Sequence, residues 1–157
     1  MASLTFQFSR QSGFISWLIS YFAHGIYSHV DAVEATGWLY GARSDICGKI
    51  PAGVQSRPDG YAKFVVTKRV TIPITDEQEK EFWAFVYGER NKPYDKMAIL
   101  AFAIDRNWRE DDSWYCSELA ARALEVCKFF SFRLAVPDAK ITPDDLLLVL
   151  SAMVNIN

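Results

Sequence analysis

The apolar positions along the chain change period several times, and each change predicts an element. The stretch "GFISWLISYFA" carries Phe14, Ile15, Trp17, Leu18, Ile19, Tyr21 and Phe22 around most of a helical circumference, with Ser12 or Gly13 to open the helix and Gly25 to close it. A helix apolar on so much of its surface belongs in a core. Next, "YSHVDAV" alternates in strand fashion, "EATG" supplies turn residues and "WLYGAR" alternates again, so residues 27–43 read as a β-hairpin. Residues 44–60 hold glycines and prolines without a period and read as a long loop, of the kind that borders a binding cleft.

The strand pattern resumes at "YAKFVVTKRVTIP". Thr75 and Gln78 then stand in capping-box spacing ahead of the helical "EQEKEFWAFVYGER". Asp95 caps a further helix, "KMAILAFAI", and the charged loop "DRNWREDDS" leads into a helix over roughly residues 114–128. Thr142, Pro143, Asp144 and Asp145 supply an N-cap, a proline at the first helical position and two carboxylates in the first turn of the closing helix, "LLLVLSAMV". Strands cluster ahead of most of the helices, which predicts an α+β fold with a small antiparallel sheet packed against helices. No repeat, low-complexity tract or linker divides the chain, so residues 1–157 are expected to form one domain.

Composition narrows the classes of function. The chain is 50% hydrophobic and 15% aromatic, which marks a folding sequence, and its formal charge of −2 lacks the basic surplus of a nucleic-acid binder. Cys47, Cys116 and Cys127 form neither a C-x-x-C pair nor a metal-finger spacing, so no metal site, no cofactor and no disulfide framework are expected, and a reducing compartment fits best. The amino-terminal apolar run lacks a basic start and a small-x-small cleavage site and is too short to span a bilayer. No signal peptide or transmembrane segment is expected, and synthesis is assigned to the cytoplasm, with association to a phage particle open.

One cysteine stands apart. Asp112 or Ser113 can cap the helix that follows, which puts Cys116 in its first turn, where free backbone N–H groups and the helix dipole favour negative charge. A thiol nucleophile works as the thiolate, and the Cys116 amide can donate to an oxyanion formed beside the sulfur. Free cysteines are also common packing residues, the role that suits Cys127 on the same helix. A base for the thiol must be His24 or His29; His24 ends an apolar helix, whereas His29 lies on a strand and projects from one face of the sheet.

"YSHVDAV … GWLYGA" followed by "YD … WYCSELAARAL" resembles the circularly permuted branch of the NlpC-like, papain-fold cysteine hydrolases, the YiiX-like group, in which the histidine hairpin precedes the cysteine helix. The resemblance extends to "LISYFAHGIYSHV", "PYDKMAIL" and "ITPDDLL" and so runs over most of the chain. It implies Cys116 as nucleophile and His29 as general base. The third position departs from the family: where a polar residue usually orients the imidazole, on the strand taken to face His29, this chain has Gly41. Asp31 is the replacement candidate, since two residues along a strand return to the same face and the family commonly has glycine there.

Tyr94 and Tyr115 are candidate hydroxyl donors near the cleft, Trp114, Tyr40 and Trp38 candidate groove walls, and Arg43, Arg57 and Lys49 candidate partners for a substrate carboxylate. The expected activity is thiol-dependent hydrolysis of an amide bond in a small peptide; the resemblance implies peptides of the cell-wall type. An acylhydrolase or acyltransferase acting on a lipid or ester is the second enzymatic reading. A non-catalytic binding or structural protein of a phage particle is the third, with Gly41 in its favour.

Overall fold

In a computed structural model of the chain, the described residues are 2–13, 16, 24–95, 113–130 and 141–154. Among them a five-stranded antiparallel sheet packs against three helices, an α+β arrangement. The strands are β1 (Ala2–Gln11), β2 (His29–Val33), β3 (Leu39–Arg43), β4 (Gly53–Arg57) and β5 (Phe64–Ile74), ordered β4-β3-β2-β1-β5 across the sheet. The helices are α1 (Asp76–Gly88), α2 (Cys116–Val126) and α3 (Pro143–Val154). The expected helix over residues 14–22 (Ser16 apart), the expected "KMAILAFAI" helix and the charged loop up to Asp112 lie outside the described residues.

Alternation along the strands gives the sheet two chemically different faces. Leu4, Phe6 and Phe8 of β1 share one face with Val30, Ala32, Tyr40, Ala42 and Val54, and with Val70, Ile72 and Ile74 of β5; all are buried. Phe82 of α1 meets Phe6 edge to face at 5.7 Å, a preferred aromatic geometry. Helix α2 lies against β2 and β3, and its buried Ala120, Ala121 and Ala123 let it approach closely. The opposite face is polar yet also buried: Gln7 and Ser9 of β1 stand opposite Asp31 and His29 of β2, and Arg43, Gln55 and Arg57 continue the layer.

Two strands arise where the hydrophobic pattern predicts none. β1 forms from "ASLTFQFSRQ", whose alternation is clear once it is paired on both sides, by β2 and β5. β4 lies inside the expected 44–60 loop. It survives as an edge because the chain at 91–92 covers it: Val54 N–H donates to Lys92 O at 2.9 Å, and Asn91 N–H to Val54 O at 3.0 Å. Gly53 makes that approach possible, with φ +99° and no room for a Cβ, which would lie 2.3 Å from Lys92 O.

The helix starts follow local chemistry. Thr75 Oγ1 accepts from Gln78 N–H and Gln78 Oε1 from Thr75 N–H, the expected capping box. Thr142 caps α3 through reciprocal bonds with Asp145. Helix α2 begins later than expected, with Tyr115 and not Asp112 or Ser113 as its N-cap. Trp114 is held extended by a parallel bridge, donating to Pro93 O and accepting from Asp95 N–H at 3.0 Å each, so the helix cannot begin before Cys116. Phe82→Ala, which removes the ring joining α1 to β1, is expected to cost about 3–5 kcal/mol in a denaturant titration.

Candidate active site

Three anchors bring the amino end of β2 to the amino end of α2. Asp144, in the first turn of α3, accepts from the amides of Ile26 and Tyr27 at 3.0 Å each, which fixes the approach to β2. Ser28 N–H donates to Ser9 O at 3.0 Å. Ser117 Oγ donates to Ile141 O at 2.6 Å, tying α2 to the residue before the α3 cap. Cys116 Sγ therefore stands 4.0 Å from Ser28 O and within hydrogen-bonding reach of the neighbouring His29 ring. As the first residue of α2, Cys116 also carries one of the amides that has no acceptor within the helix.

His29 and Asp31 lie two apart on β2 and share its polar face, and His29 Nε2 is 2.9 Å from Asp31 Oδ1. The approach is that of an ion pair and not of an aligned hydrogen bond, and neither atom has a hydrogen-bonding partner. Asp31 Oδ2 accepts from the Tyr61 hydroxyl at 2.9 Å. Burial opposes charge on the imidazole, but Asp31 and then Cys116 outweigh it and push His29 up to about 9. Burial likewise works against the Asp31 carboxylate; His29, the Tyr61 hydroxyl and Arg57 more than offset it and hold the group below its ordinary range.

The hairpin register differs from the expected one. Ala32 faces Tyr40 and Val33 faces Leu39, so continuing the ladder puts position 41 opposite Asp31, while His29 faces position 43. The turn between the strands takes residues 34–38, and Glu34 N–H closes it on Trp38 O. Gly41 is therefore the cross-strand neighbour of Asp31. A Cβ at 41 would lie 2.2 Å from Asp31 Oδ1 and 3.2 Å from Val30 O, so the carboxylate occupies the space that a side chain there would need.

A cleft of about 250 Å³ opens beside the pair, lined by Ser28, His29, Arg43, Asp45 and Tyr94 among others. Cys116 is 1% exposed and is not part of this lining; it borders a small apolar recess instead. Of the four expected substrate-contacting aromatics, Tyr94 alone lines the cleft among the described residues. Tyr115 is buried within hydrogen-bonding reach of Cys116, its ring 6.0 Å from that of Tyr94; burial and the adjacent sulfur push both phenols well above their usual range. Trp114 points away from the cleft, donating to Glu89 Oε2 at 2.6 Å and packing on Phe85. Tyr40 belongs to an aromatic cluster with Trp83 and Tyr87 on the helix-facing side. Trp38 is exposed in the hairpin turn.

The basic residues also have occupations of their own. Arg57 is fully buried and donates to the carbonyls of Gly41, Gln55, Pro51 and Gly53. Arg43 is bound at Nε and Nη2 by the Asp45 carboxylate. Tyr61 was not among the candidates from sequence, since nothing local marks a tyrosine that reaches a strand thirty residues away in the chain. Among the described residues no cluster of three or more His, Cys, Asp or Glu is arranged to hold a metal ion, and no helix is long and apolar enough to cross a membrane.

Compared with known proteins, the chain matches no family model and no curated sequence.

Two predictions come from this geometry. Gly41→Ala drives a methyl group into Asp31 Oδ1 and is expected to cost about 1–3 kcal/mol in thermal or denaturant unfolding, with much of the loss restored in Gly41→Ala/Asp31→Ala. The second concerns pH. His29 sits above the 6.5 of a free imidazole, so its pairing stabilises the fold in full below pH 6.5 and is lost as the pH climbs through about 9. Asp31, held below 3.8, contributes above that value and loses its contribution as the pH falls further. The stability gap between wild type and His29→Gln should therefore narrow between pH 6.5 and about 9, measured by urea titration across that range.

Proposed function

We propose that the protein is a cysteine hydrolase that cleaves an amide bond, with Cys116 as nucleophile, His29 as its proton acceptor and donor, and Asp31 as the group that orients the imidazole. The observation that carries this reading is that His29, with its Nε2 2.9 Å from the buried Asp31 carboxylate, also interacts with Cys116, whose Sγ lies 4.0 Å from the adjoining Ser28 O. In the first half-reaction the proton that leaves Cys116 resides on His29 Nδ1 while the sulfur adds to the substrate carbonyl. The Cys116 amide donates to the oxyanion, the carbon–nitrogen bond breaks, and His29 gives its proton to the departing amine. Water, deprotonated by His29, then attacks the thioester, and the returning proton restores the thiol and frees the acid.

An amide substrate is favoured over a long acyl chain by the space around the sulfur. The apolar recess behind Cys116, walled by Val30, Ala32, Tyr40, Phe82 and Leu119, offers only about 10 Å³, room for one water at most. The remaining alternative is a non-catalytic module of the same fold, and the observation in its favour is the depth at which Cys116 is buried.

Iodoacetamide labelling followed by peptide mapping separates these readings. At pH 6, where an ordinary thiol is almost wholly protonated, Cys116 should react faster than Cys47 and Cys127; no preference for Cys116 would sink the enzymatic proposal. On a panel of peptide amides and acyl esters, Cys116→Ala and His29→Ala should each lower kcat/KM by about a thousandfold or more. Activity should fall as the pH rises through about 9, where His29 loses the proton owed to the leaving amine.

A further inference from the structure

The polar face of the sheet holds more of the row than the three residues named so far. The Tyr61 hydroxyl meets Asp31 Oδ2 at 2.9 Å and Arg43 Nη1 at 3.0 Å. A guanidinium has only donors, so at the Arg43 contact the phenol oxygen must accept, and its single proton is left to point at Asp31. An ionised carboxylate only accepts, so the other oxygen meets His29 Nε2, 2.9 Å away, as the negative side of an ion pair. Each contact then has one possible direction. Arg43 donates to Tyr61, Tyr61 donates to Asp31, and Asp31 pairs through its other oxygen with His29 Nε2 at 2.9 Å.

Tyr61 is held in that position from several sides. The guanidinium carbon of Arg43 lies 5.0 Å from its ring centroid and that of Arg57 5.8 Å, while Phe64 meets the ring edge to face. Arg43 is itself fixed by Asp45 and by Gln11 Oε1, which accepts from Nη2 at 2.6 Å. Arg43 also lines the cleft, so this chain of donors runs from the cleft wall to the far side of the imidazole.

From this geometry we propose that Tyr61 is a positioning residue of the candidate site, which fixes the rotation of the Asp31 carboxylate, and through it the tautomer and orientation of His29, under the direction of Arg43. The proposal rests on the hydrolase reading only for its consequence in catalysis; the arrangement of proton donors holds without it. The charged and titratable groups facing His29 are Asp31 on its own strand, Cys116 on α2 and Asp45 after β3, while Arg57 faces Asp31 from β4. Tyr61 acts on one of these alone, which makes its effect separable.

The test is a proton NMR titration of the imidazole signals in the full chain. Only His24 and His29 contribute, and His24→Gln assigns them. In the wild type His29 should titrate at about 9. Tyr61→Phe keeps the ring between the two arginines and removes only the hydroxyl; it should lower that midpoint by about one unit, a shift that loss of packing alone does not produce. Arg43→Lys, which cannot reproduce the bidentate hold or aim the phenol proton, should shift it the same way and serves if Tyr61→Phe fails to fold. An unchanged midpoint in whichever variant folds overturns the proposal. Slow iodoacetamide labelling of Cys116 together with a shifted midpoint would remove the hydrolase reading and leave Tyr61 in its role; fast labelling with an unmoved midpoint would do the reverse.

Discussion

A carboxylate taken out of water stays ionised only if donors surround it, and the architecture of this protein turns on meeting that requirement at Asp31. The residue is 1% exposed; one oxygen stands 2.9 Å from His29 Nε2, the other accepts from the Tyr61 hydroxyl, and the fixed positive charge of Arg57 is nearby. These contacts do more than offset burial. Because an ionised Asp31 can only accept, any proton held between the two side chains belongs to the imidazole, and the carboxylate favours the charged form of His29.

The two-faced sheet provides the setting. Its apolar face is an ordinary core, with Phe6, Phe8, Val30 and Ile72 packed in one cluster beneath the three helices. Its polar face is closed over as well, so that His29, Asp31, Arg43 and Arg57 interact in surroundings where electrostatic effects are stronger than in water. Cys116 reaches this layer from the other side, at the end of a helix that packs on the apolar face, and meets His29 at the first residue of β2. The pairing therefore depends on the end of the sheet. The hold of Asp144 on the amides of Ile26 and Tyr27, and the bridge from Trp114 to residues 93–95, set the angle at which strand and helix meet.

What could be read from sequence was what is encoded within a few residues. The capping boxes at Thr75 and Thr142, the hairpin around residues 34–38 and the shared face of His29 and Asp31 all follow from spacings of two or three. The ten-residue alternation of strand β1 is masked in the sequence by the longer apolar run that follows it. Strand β4 escaped for a physical reason: its glycine and polar residues have little strand propensity, and it is held by pairing with β3 and by residues 91–92. The cap of α2 was misplaced because Trp114 is drawn into a bridge that no local rule predicts. Tyr61 was beyond reach as a site residue, and Arg43, expected to meet a substrate carboxylate, could not be read as a partner of Tyr61, since these contacts are made across the fold.

The corrected hairpin register alters the meaning of Gly41. If position 41 faced His29, the glycine would be a missing orienting group and an argument for lost chemistry. It faces Asp31 instead, with a built Cβ only 2.2 Å from the carboxylate, so the glycine is the vacancy that the carboxylate fills. An orienting group on the same strand as the histidine, two residues on, has its position fixed by the pleat itself, whatever the pairing of the neighbouring strand. What such a group lacks is support from across the hairpin, where a glycine can offer none. That support comes instead from the third side, where Tyr61 closes on the remaining oxygen and Arg43 and Arg57 flank its ring. The glycine at 41 and the contact from Tyr61 are two parts of one arrangement for holding a buried anion against an imidazole.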